Sequence, residues 1–484
     1  MGKLDGLKPE KVFRFFEEMT QIPHGSYNLE AIRKYLIDFA KERNIEYVAD
    51  NAGNVIYKVP ATPGYEDRPV TVLQGHMDMV AVCEDGCGID MKTMPLDVFY
   101  EGDYIGARHT SLGGDDGIAV AMALAILDSD DIPHPPLEVV ITANEETGME
   151  GASGLDISNV SGRRLINLDS EDEGIFTVGC AGGARVVCYL PADNSVPEGD
   201  DITSIEIRIS GLLGGHSGQM IHLGRGNASK LMGRILSSAS SASPSAVINS
   251  IKGGVADNAI ATDCVANISL PAPDRVKFTE AILAEADKVK TEYSVKDPGF
   301  TVTISHDTAK AQDIAISLKY ASAFINALPY GVIAMSSEAE GLVETSLNLG
   351  ILKIDNNRIH AEFAVRSSIN SARDALVKKL IDLTEGFGGT NKVTGVYPGW
   401  KYLSDSPLRD KMIRVFREMY NKDPKIEAIH AGLECGWFAD KADDFDIVSL
   451  GPDMQDIHSV NERLSISSTE RVYEYLLAVL SDKE

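Results

Sequence analysis

At 484 residues, 44 % of them hydrophobic, the chain is too long for one ordinary core and reads as a soluble globular protein of two domains. A formal net charge of −27 argues against nucleic acid as a partner, because phosphates attract Lys and Arg, and it favours cation binding. No apolar run reaches the length of a membrane span, and the six scattered cysteines form no disulfide framework, which fits a reduced, cytoplasmic protein. Cys83 and Cys87 are four apart, but no second pair completes a four-ligand zinc site.

The N-terminal stretch lacks the long apolar core of a signal peptide, and the spacing predicts amphipathic helices over 9–20 and 28–44. "GNVIYKV" and "VTVLQGHMDMV" read as strands, and "DDGIAVAMALAILDSDD" as a strongly apolar helix opened by acids. "LEVVITANEE" and "RRLINLDSE" are further buried strands. Strands alternating with helices over the first 180 residues predict an α/β layer with a mostly parallel sheet. The texture then changes. "DDITSIEIRISGLLG" alternates like a strand with one wet face, and it is followed by helical stretches between strands such as "VETSLNLGILKID" and "RIHAEFAVRSS". This predicts a separate α+β domain over 185–398, with "VYPGWKY" as a hinge. After residue 403 the helix–strand pattern returns, so the α/β domain is expected to be discontinuous, 1–184 with 399–484.

Polar groups gather where strands end and helices begin. His76 and Asp78 in "GHMD" are two apart, so in extended chain they share a face, and a carboxylate commonly orients a metal-ligating imidazole through its other nitrogen. Gly75 lets the backbone pass close by. In "LGGDDGIA", Asp115 and Asp116 open a helix, a pattern that helix capping alone also explains. Glu145 and Glu146 follow a strand, Asp169 ends another, and His458 lies in the polar loop "GPDMQDIHSVNE". Each taken alone is equally a polar loop residue. Together they are the hard and borderline donors that suit zinc, cobalt or manganese, at the strand ends where open α/β sheets bind ligands.

The order H-x-D, G-D-D-G, E-E, a strand-end D and a late H resembles the aminoacylase and carboxypeptidase superfamily of di-zinc metallopeptidases. "QGHMDMV", "GRGNA", "VETSLNLG", "YPGW" and "HAGLECG" resemble its bacterial aminoacyl-histidine dipeptidase family, over nearly the whole chain. The resemblance implies a phosphorylase/hydrolase-like α/β catalytic domain with an inserted lid and dimerisation domain. It implies two divalent ions, zinc above all. His76, Asp115 and Asp169 would hold one, and Asp115, Glu146 and His458 the other, with Asp115 bridging. Asp78 would orient His76, and Asp116 is left as a helix cap. The implied reaction is hydrolysis of unblocked dipeptides, aminoacyl-histidine among them. A water bridging the cations is acidified, and Glu145 takes its proton and passes it to the leaving amine.

In the inserted domain, "GLLGGHSGQM" resembles the lid motif whose histidine stabilises the oxyanion, here His216. In relatives the partner subunit often supplies this histidine, which implies a homodimer. "GGVADNAIA" and "AVRSS" resemble substrate-contacting lid segments, which makes Asn258 and Arg366 substrate residues; Ala261 stands where proline is usual. An arginine can fork onto a terminal carboxylate. His430 and Glu434 of "HAGLECG" are read as near the substrate's termini or as packing. The same metal core serves tripeptidases, N-acyl-amino-acid deacylases and β-alanyl dipeptidases, so those specificities remain open, as does an inactive metal- or peptide-binding homologue.

Overall fold

Eight strands of the α/β region line up in one sheet whose centre is parallel and whose flanks are not. The computed structural model describes residues 2–306, 315–337 and 341–483. They group into two units: Met1–Cys180 with Trp400–Ala428 and Leu433–Glu484, and Ala181–Gly399 with Ile429–Gly432.

In the first unit the N-terminal region supplies strands β1 (Glu46–Ala49), β2 (Val55–Val59), β3 (Thr71–His76), β4 (Val98–Glu101), β5 (Tyr104–Ala107), β6 (Leu137–Thr142), β7 (Arg164–Asn167) and β8 (Ile175–Cys180). The main sheet runs β1, β2, β6, β3, β7, Asp446–Ser449, β8, Lys425–Ile429. β6–β3, β3–β7 and β7 with Asp446–Ser449 pair in parallel. β1–β2, β2–β6 and Asp446–Ser449 with β8 pair antiparallel. The expectation of a mostly parallel sheet therefore holds only at its centre. The central strands β3 and β6 are buried along their whole length, as strands covered on both faces must be, whereas β1 is wet and can pair as a hairpin.

Helix α1 (Glu10–Thr20) buries Val12, Phe13, Phe16 and Met19, and α2 (Glu30–Arg43) buries Ile32, Leu36 and Phe39, both at helical spacing. Helix α3 (Gly114–Leu127) is apolar all round and buried from Gly114 to Ile126, because it packs against both α1 and β3. Leu124→Ala there would cost about 2–5 kcal/mol. A smaller sheet joins Met454–Gln455, Arg463–Ser465, β5 and β4.

The second unit is built on antiparallel strands in the order Thr301–His306, Ile202–Ser210, Cys264–Pro271, Val247–Gly253, Val343–Asp355, Arg358–Ser367, Gly182–Pro191, Thr390–Tyr397. Ile205, Ile207 and Ile209 alternate into its core, as the period of two predicts. The segment Ile429–Gly432 belongs to this unit, tied in by Ala181 N–H, which donates to the carbonyls of Ile429 and Ala431. Among the described residues, no helix is long and apolar enough to cross a membrane.

Candidate metal centre

Parallel pairing places the carboxyl ends of β6, β3, β7 and Asp446–Ser449 along one edge of the sheet. His76 is the last residue of β3, the Glu145–Glu146 turn follows β6, and Asp169 follows β7. Asp115 and Asp116 sit in the first turn of α3, which packs on β3. His458 comes from the loop after Met454–Gln455. Its backbone is left-handed (φ 59°), a conformation that costs a non-glycine residue roughly 1–2 kcal/mol and so must be held by its surroundings.

The atoms converge. Asp115 turns Oδ1 to His76 Nε2 at 3.2 Å and Oδ2 to His458 Nε2 at 3.0 Å. His458 Nε2 also stands 3.0 Å from Glu146 Oε1, and His76 Nε2 lies 3.8 Å from Asp169 Oδ1. Three sets of ligand atoms lie close enough to share an ion: His76 with Asp116 and Asp169, His76 with Glu145 and Glu146, and Asp115 with Glu146 and His458. No cysteine joins them.

Electrostatics test whether cations fit. Burial opposes protonation of His76, yet the surrounding Asp115, Asp169 and Asp116 carboxylates outweigh it and hold its pKa well above the ordinary value. Hydrogen bonds to Asp115 and Glu146 raise His458 to about 10. Burial would raise Asp115, but the two histidines hold it low. Burial, reinforced by neighbouring acids, pushes Asp116 and Asp169 well above the carboxylate range and Glu145 up to about 8. A largely buried cluster, open at His458, in which acids strain to keep protons and imidazoles strain to gain them is short of positive charge, and divalent ions on oxygen and imidazole donors would supply it.

Three side chains sit differently from the sequence expectation. His76 Nδ1 bonds the backbone carbonyl of Asp78 at 2.9 Å, while the Asp78 carboxylate is 3.6 Å away, too far for a hydrogen bond. That carboxylate instead accepts from Glu145 N–H (2.9 Å), Glu146 N–H (3.3 Å) and the Ser26 hydroxyl (2.8 Å), so it shapes the glutamate turn. Asp116 is not a helix cap. It is fully buried, its Oδ2 accepts from His76 N–H at 3.1 Å, and its Oδ1 has no hydrogen-bond partner among the described residues. Gly75 makes room for it, since a Cβ there would meet Asp116 Oδ2 at 2.5 Å. Glu434 is also fully buried and packs into the sheet: Oε2 accepts from Gln74 Nε2 (2.6 Å) and Thr142 Oγ1 (2.5 Å), and burial raises it to about 7. Gln74 in turn accepts from Asn167, so a polar chain crosses β7, β3 and β6 beneath the site. Oε2 thus has an interior packing role, while Oε1 is buried with no hydrogen-bond partner among the described residues.

In the second unit, His216 and Asn258 adjoin. Gly215–His216 pairs with Ala259–Ile260, and Ser217 N–H donates to Asn258 O at 2.8 Å. Burial and the Arg366 charge keep the His216 imidazole below its usual pKa. The same two causes push His430 down to about 4, and its Nε2 meets Ser346 Oγ at 2.7 Å. Arg366 Nε is buried without a hydrogen-bond partner among the described residues. Sequence reading missed Asn348, whose amide donates to the carbonyls of Asp257 and Ala259 and so pins the Asn258 loop. It also missed Glu462, which lies four residues after His458 and accepts from the backbone at the head of α3. Both lie in stretches singled out above, "VETSLNLG" and "GPDMQDIHSVNE", but nothing local gives their roles, because their partners are far away in sequence.

The sequence matches the profile of peptidase family M20/M25/M40 over residues 72–482. The chain belongs to this family. Among M20 relatives, the cytosol non-specific dipeptidase of Escherichia coli (strain K12) is 36 % identical over 487 residues, covering 100 % of this chain and 99 % of that protein. The crystal structure of aminoacylhistidine dipeptidase from Vibrio alginolyticus superposes with a TM-score of 0.93 at 34 % identity, covering 99 % of this chain and 97 % of that one. Aminopeptidase PepT from Bacillus cereus, at 17 % identity and a TM-score of 0.57, shares the fold.

Proposed function

We propose that this M20 peptidase is a metal-dependent dipeptidase that hydrolyses unblocked dipeptides, aminoacyl-histidine among them. The observation that carries the proposal is Asp115, whose two oxygens face two histidines from opposite ends of the sequence, an arrangement in which one carboxylate would serve two ions. His76, Asp115 and Asp169 would hold one ion, and Asp115, Glu146 and His458 the other, with zinc best suited to this donor set. When bound, such ions polarise the scissile carbonyl, acidify water and lower the pKa of adjacent carboxyls.

The chain's own groups do the rest. Glu146 is paired with His458; Glu145 clusters with His76 and Glu146 but not with Asp115 and His458, and in this reading it is the glutamate that handles protons. Its burial, the leading cause of its raised pKa, suits a group that takes a proton from the attacking water and returns it to the leaving amine. Asp78 fixes both glutamates by their N–H groups. His216 donates to the oxyanion, Asn258 beside it contacts the substrate, and Arg366 takes the C-terminal carboxylate with His430 alongside. A homodimer in which His216 serves the neighbouring subunit is part of this reading, on the strength of the resemblance. So is a cytoplasmic location, which unpaired cysteines suit.

The test is a panel of dipeptides (carnosine and Gly–Gly included), tripeptides and acetylated amino acids, each assayed with zinc, cobalt and manganese. Dipeptide hydrolysis that a chelator abolishes is expected. Preference for tripeptides or acetylated amino acids would overturn the specificity, and no turnover with any metal would overturn the activity.

A further inference from the structure

The loop that presents His458 ends in Glu462, and we infer that Glu462 is the positioning residue that holds Asp115 between the two histidines. The inference rests on the two-ion reading of the site. Glu462 is 3 % exposed. Its Oε2 accepts from the N–H groups of Leu112 (2.8 Å) and Gly113 (3.1 Å), and its Oε1 from those of Gly114 (2.8 Å) and Asp115 (3.4 Å). The turn that carries Asp115 is thereby wrapped around one carboxylate.

Among the described residues, no other side chain is seen to accept from these N–H groups. The residue before α3 is Gly113, which has no side chain to cap with, and Asp115 and Asp116 are turned to His76 and His458. Only a carboxylate can accept on both oxygens; a glutamine would point an NH₂ at two donors. The close approach depends on the glycines. Gly113 is left-handed (φ 70°), and a Cβ at Gly114 would stand 3.2 Å from Glu462 Oε1.

Glu462 is itself anchored. Its N–H donates to Ser459 O, and the next residues, Arg463–Ser465, pair with β5 and with Met454–Gln455. One short loop therefore sets His458 at one end and, through the Glu462 carboxylate, the opposing Asp115 at the other. Asp115 touches both histidines, so its displacement would loosen both ion sites together. At the opposite, amino end of β6, Glu138 makes a similar clamp in the same unit: it is buried and accepts from Ser161 N–H and hydroxyl and from Gly162 N–H, away from the candidate ligands.

The experiment titrates zinc alone into the metal-free, full-length protein, with circular dichroism to confirm the fold. For Glu462→Gln, zinc affinity is expected to fall about 10–100-fold at both sites, the usual effect of removing a partner that orients a ligand. Glu138→Gln loses the same kind of bonds and is expected to bind zinc like the wild type. Wild-type affinity in Glu462→Gln, or equal losses in both variants, would overturn the inference. Should Glu462→Gln not fold, Glu462→Asp, which keeps the charge but withdraws the oxygens by one methylene, is read by the same titration, and wild-type affinity there overturns the inference. A wild-type protein that takes up no zinc would overturn the two-ion reading and this inference with it, whereas a two-zinc wild type with an unaffected Glu462→Gln overturns this inference alone.

Discussion

Replacing Asp78 with Asn separates two accounts of how the site is held. If the Asp78 carboxylate oriented His76, its loss would weaken the His76-side ion about 10–100-fold. The structure gives His76 Nδ1 to the Asp78 carbonyl, which Asn retains, and gives the carboxylate to the turn of Glu145 and Glu146. In the variant one oxygen becomes NH₂, so one of the two glutamate N–H groups faces a donor whichever way the amide turns. The loss is one hydrogen bond to a charged group, about 1.5–3 kcal/mol. The loosened turn moves both glutamates, and a misplacement of about 1 Å costs on the order of 10²-fold in rate. The expected result is a fall of that order in kcat/KM, with weaker binding of the Glu146-side ion and an unchanged His76-side ion. Zinc titration of Glu146→Ala against the Glu146→Ala/Asp78→Asn pair isolates the His76 side. A tenfold or greater loss there on adding Asp78→Asn would refute the reasoning.

The two glutamates should fail in different ways. Glu145→Gln is expected to lower kcat about 10²–10⁴-fold with zinc content retained, and Glu146→Ala to lose zinc as well, read by elemental analysis beside turnover. Metal binding should release protons. In the metal-free protein His458 is held protonated up to about pH 10 by Asp115 and Glu146, so below that pH zinc must displace its proton, and affinity should rise with pH across the neutral range. Calorimetry in buffers of different ionisation enthalpy reads this, and a proton-independent affinity between pH 6 and 8, on the order of the neutral range, would contradict it. Glu434→Ala should destabilise the protein by about 1–3 kcal/mol per buried partner left unsatisfied, because Gln74 and Thr142 lose their acceptor, with little change in KM. Denaturant unfolding and dipeptide kinetics report the two effects separately, and a raised KM with unchanged stability would return Glu434 to the substrate.

Local pattern was enough to read the elements. The 3.6-residue spacing of Val12, Phe16 and Met19, the unbroken apolar run of α3 and the alternation of Ile205, Ile207 and Ile209 each state a helix face, a buried helix and a half-wet strand, because burial periodicity is written in neighbouring residues. So was the placing of acids and histidines at strand ends and helix heads. The sequence could not decide which atom meets which. Asp115 faces His458 across 343 residues and Glu462 reaches Gly114 across 348, distances over which no periodicity acts. Asp116 reaches back to β3 where a helix cap was expected, and Asp78 spends its carboxylate on the next strand's turn, since each is settled by the packing of α3 and β6 on β3. The antiparallel flanks of the sheet are likewise a matter of tertiary pairing: a short apolar run fits either direction, and only its neighbours choose. Donor chemistry belongs to the sequence, and the geometry that lets those donors share ions belongs to the fold.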